Sequence, residues 1–150
     1  MKKTLTLTTA ILILAVGQAW AATQTNDVPV SAVVAGSCSF AVVGSIDFGS
    51  LDPVASPLYN ATVVDPEINC TNLMPYTISD DLGANDVAGV PRMIDGANFI
   101  EYNFNNPLDG VGAGTGVNQP FGLTATIPAG NVTGKLAGNY ADTIRFTVVW

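Results

Sequence analysis

The sequence predicts an all-β protein built as an antiparallel β-sandwich, and three observations support this fold class. Short runs of alternating apolar and polar residues recur along the chain. Gly, Pro, Asn and Asp separate these runs, as in the turns of antiparallel sandwiches, and none of the runs has the periodicity of an amphipathic helix. The predicted strands are 37–42, 45–49, 61–70, 75–80, 99–104, 120–127 and a closing strand at 138–150.

The first 21 residues have the pattern of a secretory signal peptide. Lys2 and Lys3 precede a short apolar run, and an A-x-A cleavage pattern ends at Ala21. The run is too short to span a bilayer comfortably, which disfavours the alternative, a retained membrane anchor. We therefore expect export, and we treat residues 22–150 as one domain of ordinary size.

An alternating segment at residues 22–36 precedes the first cysteine. Val28, Val30, Ala32 and Val34 fall on one face of an extended strand. On the residues alone, two interpretations stay open: a first strand that folds onto its own sandwich, or a strand that fills a gap in a neighbouring chain.

The two cysteines, Cys38 and Cys70, are predicted to form a disulfide, because an even number of cysteines in an exported chain indicates oxidation. The chain-entropy model gives such a loop about 3 to 4 kcal/mol of stabilisation. The alternative, a metal site built on thiolates, lacks further ligands, because the sequence has no histidine and no third cysteine.

Two features interrupt the predicted strands. Pro66 lies inside the run 61–70, where a proline indicates a bulge, a break or an edge position. The glycine-rich connection at 103–118 loosely resembles a phosphate loop, but it lacks the Lys-Ser/Thr and the helix that such a loop requires. A flexible hairpin loop is therefore favoured.

An acidic cluster follows the strand 75–80. Asp80, Asp81, Asn85 and Asp86 supply oxygen atoms that could hold calcium. The spacing does not match an EF-hand loop, so a solvated turn is favoured over a calcium site.

The closing strand carries apolar side chains on one face, at Tyr140, Ile144, Phe146, Val148 and Trp150. An apolar strand at a sheet edge is a template for association, and proteins normally cover such edges. We expect the N-terminal segment of a neighbouring copy to cover it. Such an interface joins two different surfaces, so it would propagate as a head-to-tail polymer.

Charge and composition disfavour several function classes. Beyond residue 21, only Arg92, Lys135 and Arg145 oppose 12 acidic residues, which disfavours nucleic acid and anionic lipid as partners. With no histidine and both cysteines expected to be paired, the usual bases and nucleophiles of enzymes are absent, so we expect neither catalysis nor a cofactor. A glycosidase built on a carboxylate pair such as Glu67 and Glu101 stays formally open.

Several short motifs occur in a specific order over nearly all of the chain after the leader. They are "GSCSF", "DFG" at 47–49, "INC", "PYTIS", "PRM" at 91–93, "IP" at 127–128 and "GNYADTIRFTV". In these motifs the chain resembles the spore coat protein U domain family, which includes the pilins of archaic chaperone-usher systems.

The resemblance implies an incomplete immunoglobulin-like antiparallel β-sandwich that lacks its final strand and is completed by donor-strand complementation. It divides the chain into a signal peptide at 1–21, a donor strand at 22–36 and a pilin domain at 37–150. The implied donor residues are Val28, Val30, Ala32 and Val34. The implied acceptor-groove residues are Ile144, Phe146, Val148 and Trp150, with Cys38 and Cys70 bridged.

The sequence therefore predicts a structural subunit of a surface pilus, exported through the periplasm, that polymerises by donor-strand exchange and contributes to adhesion and biofilm formation. The implied partners are identical or related pilin subunits, a periplasmic chaperone and an outer-membrane usher. Nucleic acid is not expected as a partner, nor is membrane insertion of the mature chain. The alternatives are a spore-coat or extracellular matrix protein of the same family and a secreted ligand-binding or adhesive module.

Overall fold

The computed structural model describes residues 21–105, 107 and 109–150. The predicted signal peptide, apart from Ala21, lies outside the described residues. The chain divides into two units, one up to Val33 and one from Val34 to Trp150. In the first unit, residues 21–33 form no strand and all are exposed.

The second unit is built from short β-strands, and the described part of the chain contains no helix. The strands are β1 Cys38–Val42, β2 Ser45–Asp47, β3 Tyr59–Asn60, β4 Thr62–Val64, β5 Glu67–Cys70, β6 Pro75–Asp80, β7 Arg92–Asp95, β8 Asn98–Glu101, β9 Asn103–Phe104, β10 Gly110–Val111, β11 Gln119–Pro120, β12 Ala125–Ile127 and β13 Phe146–Val149. All pairings between them are antiparallel. The prediction of an all-β antiparallel protein is confirmed.

In the described part of the chain, the strands form five small antiparallel sheets. β5 lies between β1 and β11, β6 lies between β10 and β13, and β12 lies between β3 and β9. β2 pairs with β4, β7 pairs with β8, and the Ile94↔Ala141 bridge joins the β7–β8 hairpin to the segment before β13. This arrangement is consistent with an immunoglobulin-like sandwich.

The hydrophobic core has two parts. The first consists of Ile68, Cys70, Tyr76 and Phe121. The second consists of Ile100, Tyr102, Ile127 and Val132. Phe146 packs against the first part and Ile144 against the second. Edge-to-face contacts link Phe146 to Phe121 and to Phe104, with ring centroids 5.6 and 6.3 Å apart.

Pro66 lies at a break between β4 and β5, which is one of the alternatives predicted for it. Its ring packs against Gly44, where an added Cβ would collide with it. Asp65 replaces part of the backbone hydrogen bonding that is lost at this break. Its carboxylate accepts hydrogen bonds of 2.8 and 3.0 Å from the N–H groups of Gly122 and Leu123. The proline therefore interrupts the strand while this carboxylate keeps the neighbouring segment attached.

The glycine-rich segment 103–118 differs in part from its predicted description as a loop, because it contains β10, whereas β9 lies within the predicted strand 99–104. Gly110 and Val111 pair with Tyr76 and Pro75 of β6. A Cβ at Gly110 would collide with the Tyr76 ring, so glycine is what allows the two backbones to approach.

Candidate functional site

The C-terminal part of the chain is paired on one side only. β13 pairs with β6, from Phe146↔Asp80 to Val149↔Thr77, and it lies at the edge of its sheet. The preceding residues 141–145 continue along the same side through backbone hydrogen bonds to residues 81, 84 and 94. Among the described residues, no strand pairs with the opposite side.

A second unpaired edge lies at the start of the sandwich. β1 is the edge strand of its sheet, and β2 pairs with β4 alone. Exposure alternates from residue 41 to residue 48, so that Val42, Ile46 and Phe48 are partly buried. The segment 38–48 runs antiparallel to the segment 140–149. At one end Cys38 shares a hydrophobic cluster with Val148, and at the other end Phe48 shares a cluster with Tyr140.

The two edges face each other across an open groove of about 730 Å³. One wall comes from residues between Phe40 and Phe48, and the other from residues 140–146. The rest of the lining consists of Pro66, Met93, Tyr102 and Leu123. A largely apolar groove between two unpaired sheet edges fits one extended strand, because both walls offer main-chain groups in need of partners.

Asp142 is a charged residue in the groove wall, and donors from its own subunit hold it. Its Oδ2 accepts a 2.7 Å hydrogen bond from the Tyr102 hydroxyl. Its Oδ1 accepts from the Asn85 side-chain amide at 2.8 Å and from the Asn85 backbone N–H at 3.2 Å. Burial, together with the bond to Asp142 and its charge, raises the pKa of Tyr102 above its ordinary value near 10. A phenol is protonated at physiological pH even at its ordinary pKa, so Tyr102 is the donor in this bond.

The structure brings together two of the four residues predicted for the acceptor groove. Ile144 and Phe146 line the groove. Val148 is outside its lining and packs, partly buried, against the cluster around the disulfide. Trp150 is also outside the lining and is 54% exposed.

The predicted donor residues are open to solvent. Val28, Val30 and Val34 are 73%, 93% and 87% exposed, and Ala32 is exposed as well. None of the described residues before Cys38 belongs to a strand. Their pairing with a second chain stays a prediction.

Cys38 and Cys70 form a disulfide between directly opposite positions of β1 and β5. Next to it, the Ser37 N–H donates to Thr71 Oγ1 at 3.0 Å, and the Thr71 N–H donates to the Ser37 carbonyl at 2.9 Å. The disulfide and these two bonds fix the point where the sandwich begins.

The carboxylates considered as calcium ligands bind backbone groups. Asp80, Asp81 and Asp86 each accept a hydrogen bond from a nearby N–H group of their own turn. Asp81 also accepts a 2.8 Å bond from the Arg145 N–H, and this bond lowers the pKa of the Asp81 carboxyl. In residues 21–105, 107 and 109–150, no three metal-ligating side chains cluster together.

The two glutamates considered as a glycosidase pair lie in different sheets. Glu67, on β5, accepts a 2.8 Å hydrogen bond from the Asn118 side-chain amide. Glu101, on β8, lies opposite Arg92 in the β7–β8 hairpin. Neither residue is part of the groove lining.

The family model of the Spore Coat Protein U domain matches residues 24–147. The chain belongs to this family. The match includes the exposed segment from residue 24 onwards as well as the sandwich. A search of curated proteins found no match. In the part of this Spore Coat Protein U domain protein that the structure describes, no helix is long and apolar enough to cross a membrane.

Sequence reasoning missed two parts of the groove in this Spore Coat Protein U domain protein. The first is the wall that contains Val42, Ile46 and Phe48, although their alternation is a period-two signal that could have revealed it. The second is the contact between Tyr102 and Asp142, which are 40 residues apart. No local pattern connects two such positions.

Proposed function

We propose that this chain is a structural subunit of a surface pilus that polymerises by donor-strand exchange. Val28, Val30, Ala32 and Val34 of one copy insert into the groove of the next copy. The observation that carries this function is the apolar groove between two unpaired sheet edges, in a chain of the Spore Coat Protein U domain family.

The donor segment and the groove are chemically complementary. The segment offers aliphatic side chains on one face, and its residues 22–35 are exposed. The groove offers an apolar lining and free main-chain groups on both walls. Burial of three valines and one alanine contributes on the order of 5 to 8 kcal/mol, before main-chain hydrogen bonds and ordering costs are counted.

A subunit with such a groove needs protection before assembly, because an open apolar edge associates with other chains. In this proposal a periplasmic chaperone fills the groove during export, and an outer-membrane usher replaces it with the strand of the next subunit. The assembled pilus lies on the cell surface, where it contributes to adhesion and biofilm formation. The chain acts by assembly and has no catalytic role.

The test moves residues 23–36 behind Trp150 through a short flexible linker. The relocated strand can enter the groove of its own subunit at high effective concentration, so it outcompetes a neighbour. We expect a stable monomer that no longer polymerises, measured by sedimentation and thermal melts of protein purified from the periplasm without chaperone.

Two substitutions in the relocated strand serve as controls. Val30→Asp places a charge in the apolar groove and should abolish the gain in stability. Ser31→Asp places the same charge on the opposite face of the strand and should preserve most of it. The proposed function fails if the chain in its native order is already monomeric and melts as high as the relocated form.

The family description favours one second candidate, a structural protein of a spore coat or extracellular matrix. Such a protein would share the groove but would assemble in a different setting. Electron microscopy of shed surface material distinguishes the two, because a pilus subunit is found in thin filaments and a coat protein in layered material.

A further inference from the structure

The C-terminal wall of the groove offers a defined number of positions to an inserted strand. Tyr140, Asp142, Ile144 and Phe146 are partly buried and line the groove, while the residues between them are exposed. Asp142 and Ile144 form no backbone–backbone hydrogen bond with any other described residue. Their N–H and C=O groups therefore face the open side of the groove.

The donor segment offers the same number of inward positions, at Val28, Val30, Ala32 and Val34. The two walls of the groove run antiparallel to each other, so an inserted strand is antiparallel to one wall. Antiparallel pairing with the C-terminal wall gives the more stable ladder. In that orientation the backbone nitrogen and carbonyl of Pro29 point away from this wall. The missing N–H of the proline therefore removes no hydrogen bond to the wall.

The antiparallel registers differ in which donor residue meets Asp142. Its carboxylate is held by Tyr102 and Asn85 and lies directly beside Gly83, where a Cβ would collide with it. The carboxylate therefore has little room to withdraw from an incoming side chain. The register that puts Val28 opposite Phe146 places Ala32, the smallest donor side chain, opposite Asp142. A shift of two residues in either direction places a valine there.

We propose that the donor strand binds in this register, with Ala32 of one copy opposite Asp142 of the next, and that Asp142 selects a small donor side chain. This inference rests on the proposed function. The donor strand then pairs with the wall from Tyr140 to Phe146. This wall lies four residues closer to the N-terminus than the wall predicted from the sequence, which ended at Trp150.

The test is a cysteine scan between copies. In the proposed register Ser31 lies opposite Thr143, at a non-hydrogen-bonded pair whose Cα atoms are about 4.5 Å apart, a separation that a disulfide spans. Ser31→Cys is combined in the full chain with a cysteine at one of four exposed wall positions. These positions are Ala141, Thr143, Arg145 and Thr147. Ser31→Cys alone is the control, because it shows how much linkage arises from exchange of this thiol with the native Cys38–Cys70 disulfide.

Filaments are oxidised, boiled in detergent and run without reductant. We expect a ladder of linked subunits for Thr143→Cys, several-fold stronger than at the other positions, because diagonal neighbours are about 7 to 8 Å apart. A ladder strongest at position 141, 145 or 147, or absent at 143 while filaments form, overturns the register alone. Failure of the unmodified chain to form filaments overturns the proposed function instead.

Selection by Asp142 is tested by mixing donor and acceptor variants. Ala32→Leu in the donor should slow strand insertion about tenfold or more with the natural acceptor, since overfilled sites are costly. Asp142→Ala in the acceptor should restore most of the rate, because it removes the opposing carboxylate. An equal slowing with both acceptors overturns the selective role of Asp142.

Discussion

The hydroxyl of Tyr102 lies 2.7 Å from Oδ2 of Asp142, and this bond connects the buried core to the wall of the open groove. Tyr102 is 3% exposed and packs with Ile100 and Ile127. Asp142 forms part of the groove surface. The core thus fixes the position of a carboxylate in the surface that an incoming strand would meet.

Tyr102→Phe should destabilise the subunit by about 1.5 to 3 kcal/mol, because it removes a hydrogen bond to a charged acceptor. Tyr140→Phe is the matched control, since the Tyr140 hydroxyl donates to the neutral carbonyl of Leu136 at 2.9 Å. Its loss should be about 0.5 to 1.5 kcal/mol. Urea unfolding of both variants measures the difference, and equal losses would contradict the importance of the Asp142 bond.

Gly44→Ala should destabilise the subunit by about 1 to 3 kcal/mol, because the new Cβ meets the Pro66 ring and lies 2.8 Å from the Val64 carbonyl oxygen. Gly36→Ala is the control, since its Cβ meets only the flexible end of Met74, which can rotate away. The midpoints of urea unfolding compare the two. A Gly44→Ala loss as small as that of Gly36→Ala would show that the contact between Gly44 and Pro66 can relax to accept the new Cβ.

The strands with clear alternation could be predicted from the sequence, whereas those that depend on distant packing could not. Runs such as 37–42 and 75–80 contain β1 and β6. β10 has only two residues, and it is a strand because Gly110 can approach the Tyr76 ring. Short-range patterns contain no information about that contact.

The groove shows the same division between local and distant information. Alternation in the closing strand placed Ile144 and Phe146 on an inward face, and both line the groove. The same alternation included Trp150, which is half exposed, because a period of two does not reveal where the opposing wall ends. The opposing wall, from Phe40 to Phe48, lies in a different part of the chain.

Replacement of both cysteines, Cys38→Ala with Cys70→Ala, should lower the free energy of unfolding by about 3 to 4 kcal/mol, because the loop constraint on the unfolded chain is lost. The wild-type protein unfolded in the presence of a reductant is the control, and it should lose a similar amount. A loss below about 1 kcal/mol in the double variant would contradict the expected stabilisation by the disulfide.

The Asp81 carboxylate should make stability depend on acid. Its pKa is lowered in the folded state, mainly by the hydrogen bond from the Arg145 N–H. Its contribution is therefore present above the ordinary value of 3.8 and is lost as the pH falls through the lower folded value. Asp81→Asn should reduce the acid dependence of the melting temperature in this range, by a small amount because the carboxylate is exposed. Asp27→Asn, in the exposed N-terminal segment, is the charge-matched control and should leave the acid dependence unchanged.

Phe146→Asp should prevent accumulation of the subunit even when a chaperone is present. Phe146 is partly buried, lines the groove and contacts the Phe121 ring at 5.6 Å, so an aspartate would lose this packing and place an unpaired charge in an apolar site. These two effects together should cost about 3 kcal/mol or more, a large share of the stability of one domain. Thr147→Asp is the control, because its side chain is exposed and should change stability by about 0.5 kcal/mol. Periplasmic yield and thermal melts of the two variants measure the contrast. If both variants accumulate equally well, the inward face of this strand has been assigned to the wrong residues, and the groove cannot have Phe146 as part of its wall.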